Sequence, residues 1–249
     1  MILKRTRSMF LNSLKSGHGF VSPVQRIFIS LLLTPLLCAS CARPGALASG
    51  RTSPLMYVAV GDSTGIGLGA RDGGGYVARL FARIEQKRPG STLINLSAAG
   101  ATTLDAIDKQ LPRLTGTPAT LVTVCVGTND LLRGREAKQF AEDYETLVVR
   151  LRRPGRVIVV ANLPDITSAP AMKGRVDESL TLRLGQFNKA IEDIAGRHGV
   201  SLVDLNKSSG GLLRSHPEYF SSDGLHPSDL GYARWAEVMW AVVEQAIDE

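Results

Sequence analysis

The chain has 249 residues, enough for one domain with a substantial core. Its formal charge of +6 would suit nucleic acid or an anionic surface, but the excess sits at one end. Lys4, Arg5, Arg7, Lys15 and Arg26 all precede Cys41, and residues 1–40 hold no Asp or Glu, so the remainder is nearly neutral with no basic stripe in the sequence, which argues against nucleic-acid binding.

The basic start runs into Ile27-Phe28-Ile29-Ser30-Leu31-Leu32-Leu33-Thr34-Pro35-Leu36-Leu37. This run is too short to span a bilayer but suits the apolar core of a secretory signal. Cys38-Ala39-Ser40-Cys41 follows it and resembles a bacterial lipobox, with Cys38 standing where an aliphatic residue is usual. On that reading residues 1–40 are a lipoprotein-type signal peptide and Cys41 is the lipidated first residue of the mature chain. Ala46-Leu47-Ala48 offers an ordinary cleavage site instead. The expected location is the cell envelope as a lipoprotein, otherwise the periplasm or outside the cell. Membrane contact is expected only through the leader or its lipid.

Residues 41–54 have no apolar period and read as a flexible tether, with the folded domain at 55–249. Strands are expected at 55–60, 92–96, 120–126, 156–162 and 200–204. Amphipathic helices are expected between them at 75–88, 102–114, 136–152 and 176–198, with a last helix at 229–248. Arg88-Pro89-Gly90 and Arg153-Pro154-Gly155 stop helices, Gly199 follows His198 as a C-cap, and Ser228 can cap the last helix. Strands alternating with helices imply an α/β fold: one three-layer α/β/α domain around a five-stranded parallel sheet. Cys125, between Val124 and Val126, reads as a small core residue, and no Cys/His spacing points to a metal.

Polar clusters fall at the exits of three of these strands, where ligands bind in such sheets. Gly61-Asp62-Ser63 follows the first strand, Asn95-Leu96-Ser97-Ala98-Ala99-Gly100 ends the second, and Gly127-Thr128-Asn129-Asp130 follows the third. Near the end of the chain Asp223-Gly224-Leu225-His226-Pro227 sets a carboxylate three residues before an imidazole in a loop. A serine hydroxyl needs a base to take its proton, and that base needs an orienting partner. His226 alone among the four histidines has a carboxylate at i−3 in a loop: His18 is in the leader, His198 at a helix C-terminus and His216 in a surface loop.

The four blocks, in this order, resemble those of the SGNH hydrolases, also called the GDSL esterase/lipase family, over roughly residues 55–248. Thr64 stands where that family's name string has leucine. The resemblance implies a flavodoxin-like sheet and a serine esterase acting on carboxylic esters or thioesters. Its nucleophile would be Ser63, with His226 as base, Asp223 orienting it, and an oxyanion hole of the Ser63 and Gly100 backbone N–H groups and the Asn129 amide. No cofactor or metal is implied, and the partner is a small-molecule ester. Asp62 is expected to hold its loop through backbone amides, and Asp130 to be structural.

Two other functions fit the same blocks less well: an O-acyltransferase or deacetylase of envelope glycans, and a non-catalytic binding module. Gly65-Ile66-Gly67-Leu68-Gly69-Ala70 mimics a dinucleotide fingerprint, but the second strand lacks the acidic residue such folds need, so a mobile glycine-rich rim beside Ser63 is expected instead. The loop 163–175 has few large apolar residues, and the rim adds no apolar wall. Short or water-soluble acyl substrates are therefore expected over long-chain triglycerides.

Overall fold

A computed structural model describes residues 53–249. The signal run, Cys41 and most of the tether lie outside the described residues. In sequence order the elements are β1 Met56–Gly61, α1 Ser63–Ile66, α2 Tyr76–Lys87, β2 Thr92–Asn95 and α3 Thr103–Asp105. They continue with β3 Leu121–Cys125, α4 Thr128–Leu132, α5 Ala137–Leu151, β4 Val157–Ala161, α6 Glu178–His198 and β5 Ser201–Val203. The chain closes with α7 Leu205–Ser209, α8 Leu212–Ser215 and α9 Asp229–Asp248.

All five strands pair in parallel, in the order β2-β1-β3-β4-β5. Alternate residues of each strand feed opposite faces, as the pleat requires. Val58, Val60, Val122, Val124 and Val160 pack against Phe140, Tyr144, Leu147 and Phe187 of α5 and α6. On the other face Tyr57, Ala59, Leu121 and Val159 meet Tyr76, Leu80, Ile84, Met239 and Val243 of α2 and α9. The order turns back between β1 and β3, which is the switch point where parallel sheets open a crevice. Ser63 and Asn129 leave the carboxyl ends of those two strands.

One expected helix, 102–114, is not a regular helix. A Thr102/Asp105 capping box starts α3, a π turn takes over at Ala106–Gln110, and a 3₁₀ turn ends it at Leu111–Leu114. Pro112 has no N–H to continue an α ladder, and the π turn lets Gln110 reach the sheet. The segment 204–228, without apolar period in the sequence, folds as α7, α8, a 3₁₀ turn at Pro217–Tyr219 and a bridge between Phe220 and Pro227.

The buried rings of Phe140 in α5 and Phe187 in α6 stack with centroids 3.9 Å apart, and join the two helices within the core. Phe140→Ala should cost about 3–5 kcal/mol of unfolding free energy in urea titration, the usual range for a buried aromatic. A loss under about 1 kcal/mol would mean that the helices close over the gap and the stack adds little to the core.

Candidate active site

β1 ends against β3, with Gly61 opposite Cys125. On its other side β2 has already stopped, and Gln110 fills in: Gly61 N–H donates to Gln110 Oε1 at 3.0 Å, and Gln110 Nε2 donates to Gly61 O at 2.8 Å. Gln110 therefore satisfies the buried Gly61 N–H, which would otherwise cost free energy, and shares the Gly61 carbonyl with the Ala98 N–H at 3.2 Å. Asp62 follows, almost fully buried, and caps α1: its Oδ1 accepts from the Thr64 N–H at 2.9 Å and the Thr64 hydroxyl at 2.8 Å. Burial raises the Asp62 pKa, and these two bonds and the nearby His226 oppose the rise. The threonine that departs from the family string thus braces the residue before Ser63. Only glycine fits at position 65, where a Cβ would lie 2.1 Å from Ser97 Oγ.

Ser63, at the start of α1, is the first member of a three-residue relay. With Nδ1 protonated, His226 donates to Asp223 Oδ2 at 2.6 Å, leaving Nε2 free to accept the Ser63 hydroxyl at 2.8 Å. Asp223 Oδ1 also accepts from Ser221 Oγ at 2.9 Å, Leu225 N–H at 2.8 Å and His226 N–H at 2.9 Å. Partial burial alone would raise the Asp223 pKa, but these bonds prevail and hold the carboxyl well below the ordinary range. It stays charged, and a fixed charge both orients the imidazole and stabilises its protonated form. The loop closes on itself through Ser221 N–H to His226 O at 2.8 Å, and Gly224 O receives the Ala171 N–H at 3.0 Å.

Gly100 takes a left-handed turn, φ 71°, after β2. Gly100 and the chain that follows it are tied to α4. Asn129 Nδ2 donates to Ala101 O at 3.1 Å, which leaves its second N–H available. Asp130 Oδ2 accepts from the Thr103 N–H at 2.9 Å and hydroxyl at 3.2 Å; burial raises the Asp130 pKa, and these bonds oppose it. Arg133 joins the two segments directly, its Nη2 on Gly100 O at 2.8 Å and its N–H on Asn129 O at 3.0 Å.

Ser63, Gly100, Asn129 and His226 line one cavity of about 280 Å³. The expected catalytic and oxyanion residues are therefore brought to one place at the switch point, with Asp223 directly behind His226, while Cys41, the expected lipidation site, lies outside the described residues. Gln110 and Arg133 were not foreseen, because an isolated Gln or Arg in a helical stretch carries no pattern of its own. The cavity also has the apolar wall that the sequence reading denied it. Leu205, Leu212, Leu213, Trp235 and Val238 supply it, together with Leu68 of the glycine rim. The rim is pinned to the start of α9: Asp229 accepts from the Arg71 N–H at 3.0 Å, the Asp72 N–H at 3.1 Å and Arg79 Nη2 at 3.0 Å. Tyr232 OH donates to Leu68 O at 2.8 Å. No helix opens within Gly65–Ala70 beyond the short α1, unlike a dinucleotide fold; α2 starts only at Tyr76. Among the described residues no group of three or more His, Cys, Asp or Glu is placed to hold a metal ion.

A parallel sheet with a serine–histidine–aspartate relay at its switch point is the layout of an α/β hydrolytic enzyme. A family model described as the GDSL-like lipase/acylhydrolase family matches residues 59–234, and the chain belongs to that family of ester-hydrolysing enzymes. It is 28% identical over 196 residues to a GDSL-like esterase of Mycobacterium tuberculosis, covering 76% of this chain and 62% of that protein. Thus the chain spans less than two thirds of that relative. Esterase TesA of Pseudomonas aeruginosa is 23% identical over 209 residues, covering 84% of this chain and 97% of TesA. Among solved structures, the psychrotrophic esterase EstA from Pseudoalteromonas sp., inhibited by monoethylphosphonate, superposes with a TM-score of 0.62 at 18% identity, covering 78% of this chain and all of EstA.

Arg133→Ala should lower kcat by about five- to ten-fold, the worth of one hydrogen bond that holds two segments in register, with KM unchanged. Arg133→Lys, which can still reach the Gly100 carbonyl, should recover part of the loss. A rise in KM at constant kcat would instead make Arg133 a substrate-contacting residue.

Proposed function

We propose that the protein is an esterase that cleaves carboxylic esters or thioesters through an acyl-enzyme on Ser63. The observation that carries this reading is the relay from Ser63 Oγ through His226 to Asp223, with bonds of 2.8 and 2.6 Å. His226 Nε2 takes the hydroxyl proton as Oγ attacks the carbonyl carbon, and the carbonyl oxygen becomes an oxyanion. The N–H groups of Ser63 and Gly100 and the second N–H of Asn129 face this charge; a carboxylate at position 129 would repel it. His226 then returns the proton to the leaving alcohol or thiol, and a water activated in the same way releases the acid. No cofactor enters any step.

The alternative of a binding module on this fold has no use for a proton relay in hydrogen-bond order. The volume and apolar wall of the cavity support a small ester with an apolar acyl group, since small-ligand sites typically start near 300 Å³. An acyltransferase would use the same relay with a sugar or alcohol in place of water, and added acceptor that diverts product from free acid to a new ester would replace the hydrolase reading. For location we propose export to the cell envelope with lipid on Cys41, supported by the apolar signal run and the following tether in the sequence.

Ser63→Ala and His226→Ala should each reduce turnover of a soluble butyrate ester by about 10⁴ or more in a folded protein. Near-native turnover by Ser63→Ala would remove the acyl-enzyme. Asn129→Ala should lower kcat by roughly 100- to 1,000-fold, about 2.7–4 kcal/mol, at nearly constant KM, because an oxyanion donor acts in the transition state. Mass spectrometry of the processed protein should find a diacylglyceryl-modified Cys41; an unmodified N-terminus at Ser49 would replace lipidation with ordinary secretion.

A further inference from the structure

The sheet edge opposite the Ser63 cavity carries a second cavity, of about 750 Å³, lined among others by Ile107, Leu111, Pro118, Arg150, Arg153 and Arg156. Its arginines come from the last turn of α5 and from the turn Arg152-Arg153-Pro154-Gly155-Arg156 that leads into β4. Arg156 is fixed in place: Nε donates to Ala119 O at 3.1 Å and Nη1 to Leu151 O at 2.7 Å. Arg153 Nη1 donates to Arg152 O at 2.7 Å.

These partners are carbonyl dipoles and not charges. Among the described residues none of Arg113, Arg150, Arg152, Arg153 and Arg156 forms an ion pair with a carboxylate. The basic residues at the end of α2 differ: Lys87 is paired with Glu244 and Asp248, and Arg88 with Asp248. Burial and the neighbouring Arg153 charge both lower the Arg156 pKa. Arg150, Arg153 and Arg156 line the cavity together, so a nearly neutral body carries one local positive face there.

The same edge is where the described chain joins the sheet. Met56 N–H donates to Thr120 Oγ1 at 2.9 Å and Val157 N–H to Thr120 O at 2.8 Å, which aligns the heads of β1, β3 and β4, and Arg156 immediately precedes Val157.

We propose that this face docks the domain on an anionic phospholipid surface. The guanidinium forks take lipid phosphates, leaving the Ser63 cavity, at the opposite ends of the strands, directed away from the bilayer. This does not depend on the acyl-transfer chemistry at Ser63. Nor does it depend on a lipid at Cys41.

The test uses the full chain, wild type and Arg150→Glu/Arg153→Glu, sedimented with vesicles of phosphatidylcholine alone or with one-third phosphatidylglycerol. Phenylglyoxal then marks accessible arginines, and mass spectrometry reads each one. The leader is common to both proteins, so any difference belongs to the face. The wild type should bind the anionic vesicles at least ten-fold more tightly than the variant, at about five-fold per arginine near the surface. Arg150, Arg152 and Arg153 should be protected in the bound wild type, while Arg175 and Arg214 stay reactive. Hydrolysis of a soluble short ester by the variant should be unchanged, and if the variant does not fold, the wild-type footprint alone decides. Equal reactivity of Arg150, Arg152 and Arg153 with and without bound vesicles overturns the docking. So does protection by inorganic phosphate that anionic vesicles fail to give, since the cavity would then hold a free anion.

Discussion

Ser63 Oγ and His226 Nε2 sit 2.8 Å apart although 163 residues separate them in the chain. Neither residue has a local reason to meet the other. Ser63 is delivered by the end of β1 and the cap of α1, while His226 rides on a loop between β5 and α9 that belongs to no sheet. The parallel sheet supplies a rigid platform for the first, and a set of loop bonds must supply the second. Much of the polar detail at this edge can be traced to that requirement.

The buried polar groups follow the same logic. Asp62, Gln110 and Asp130 are all nearly inaccessible to water, and each is kept tolerable by bonds to backbone N–H, carbonyl or hydroxyl groups. Gln110 completes the backbone of Gly61, Asp62 caps α1, and Asp130 ties α4 to Thr103. Low local polarity strengthens such bonds and makes their loss costly, which suits groups whose task is position. Asp223 is different, being half exposed, and its charge is preserved by several donors converging on one carboxylate.

The strands were readable because buried parallel strands are continuous apolar runs, and each boundary falls within a residue or two of its expected place. Ser63, Asn129 and the Asp223–His226 pair were readable because they stand where a polar residue has no packing role, just past an apolar segment or in a glycine-flanked loop. Gln110 escaped because its meaning depends on a π turn, forced near Pro112, that no periodicity signals. Arg133 escaped because its partner carbonyl is on another segment. Leu205, Leu212 and Leu213 escaped because short helices of one turn leave no apolar period, although together they wall the cavity. The arginines of the far edge stand close together in the sequence as Arg150, Arg152, Arg153 and Arg156, but a net charge summed over the whole body gives no sign of them.

The most direct measurement is reaction with an alkyl phosphonate ester, whose tetrahedral phosphorus replaces the carbonyl carbon under attack. Intact mass should rise by one adduct, peptide mapping should place it on Ser63, and hydrolysis should fall in step with labelling. His226→Ala should label far more slowly, because the hydroxyl has lost its base. Stoichiometric labelling of any other residue, or full hydrolytic activity in a protein labelled at Ser63, would contradict the acyl-enzyme.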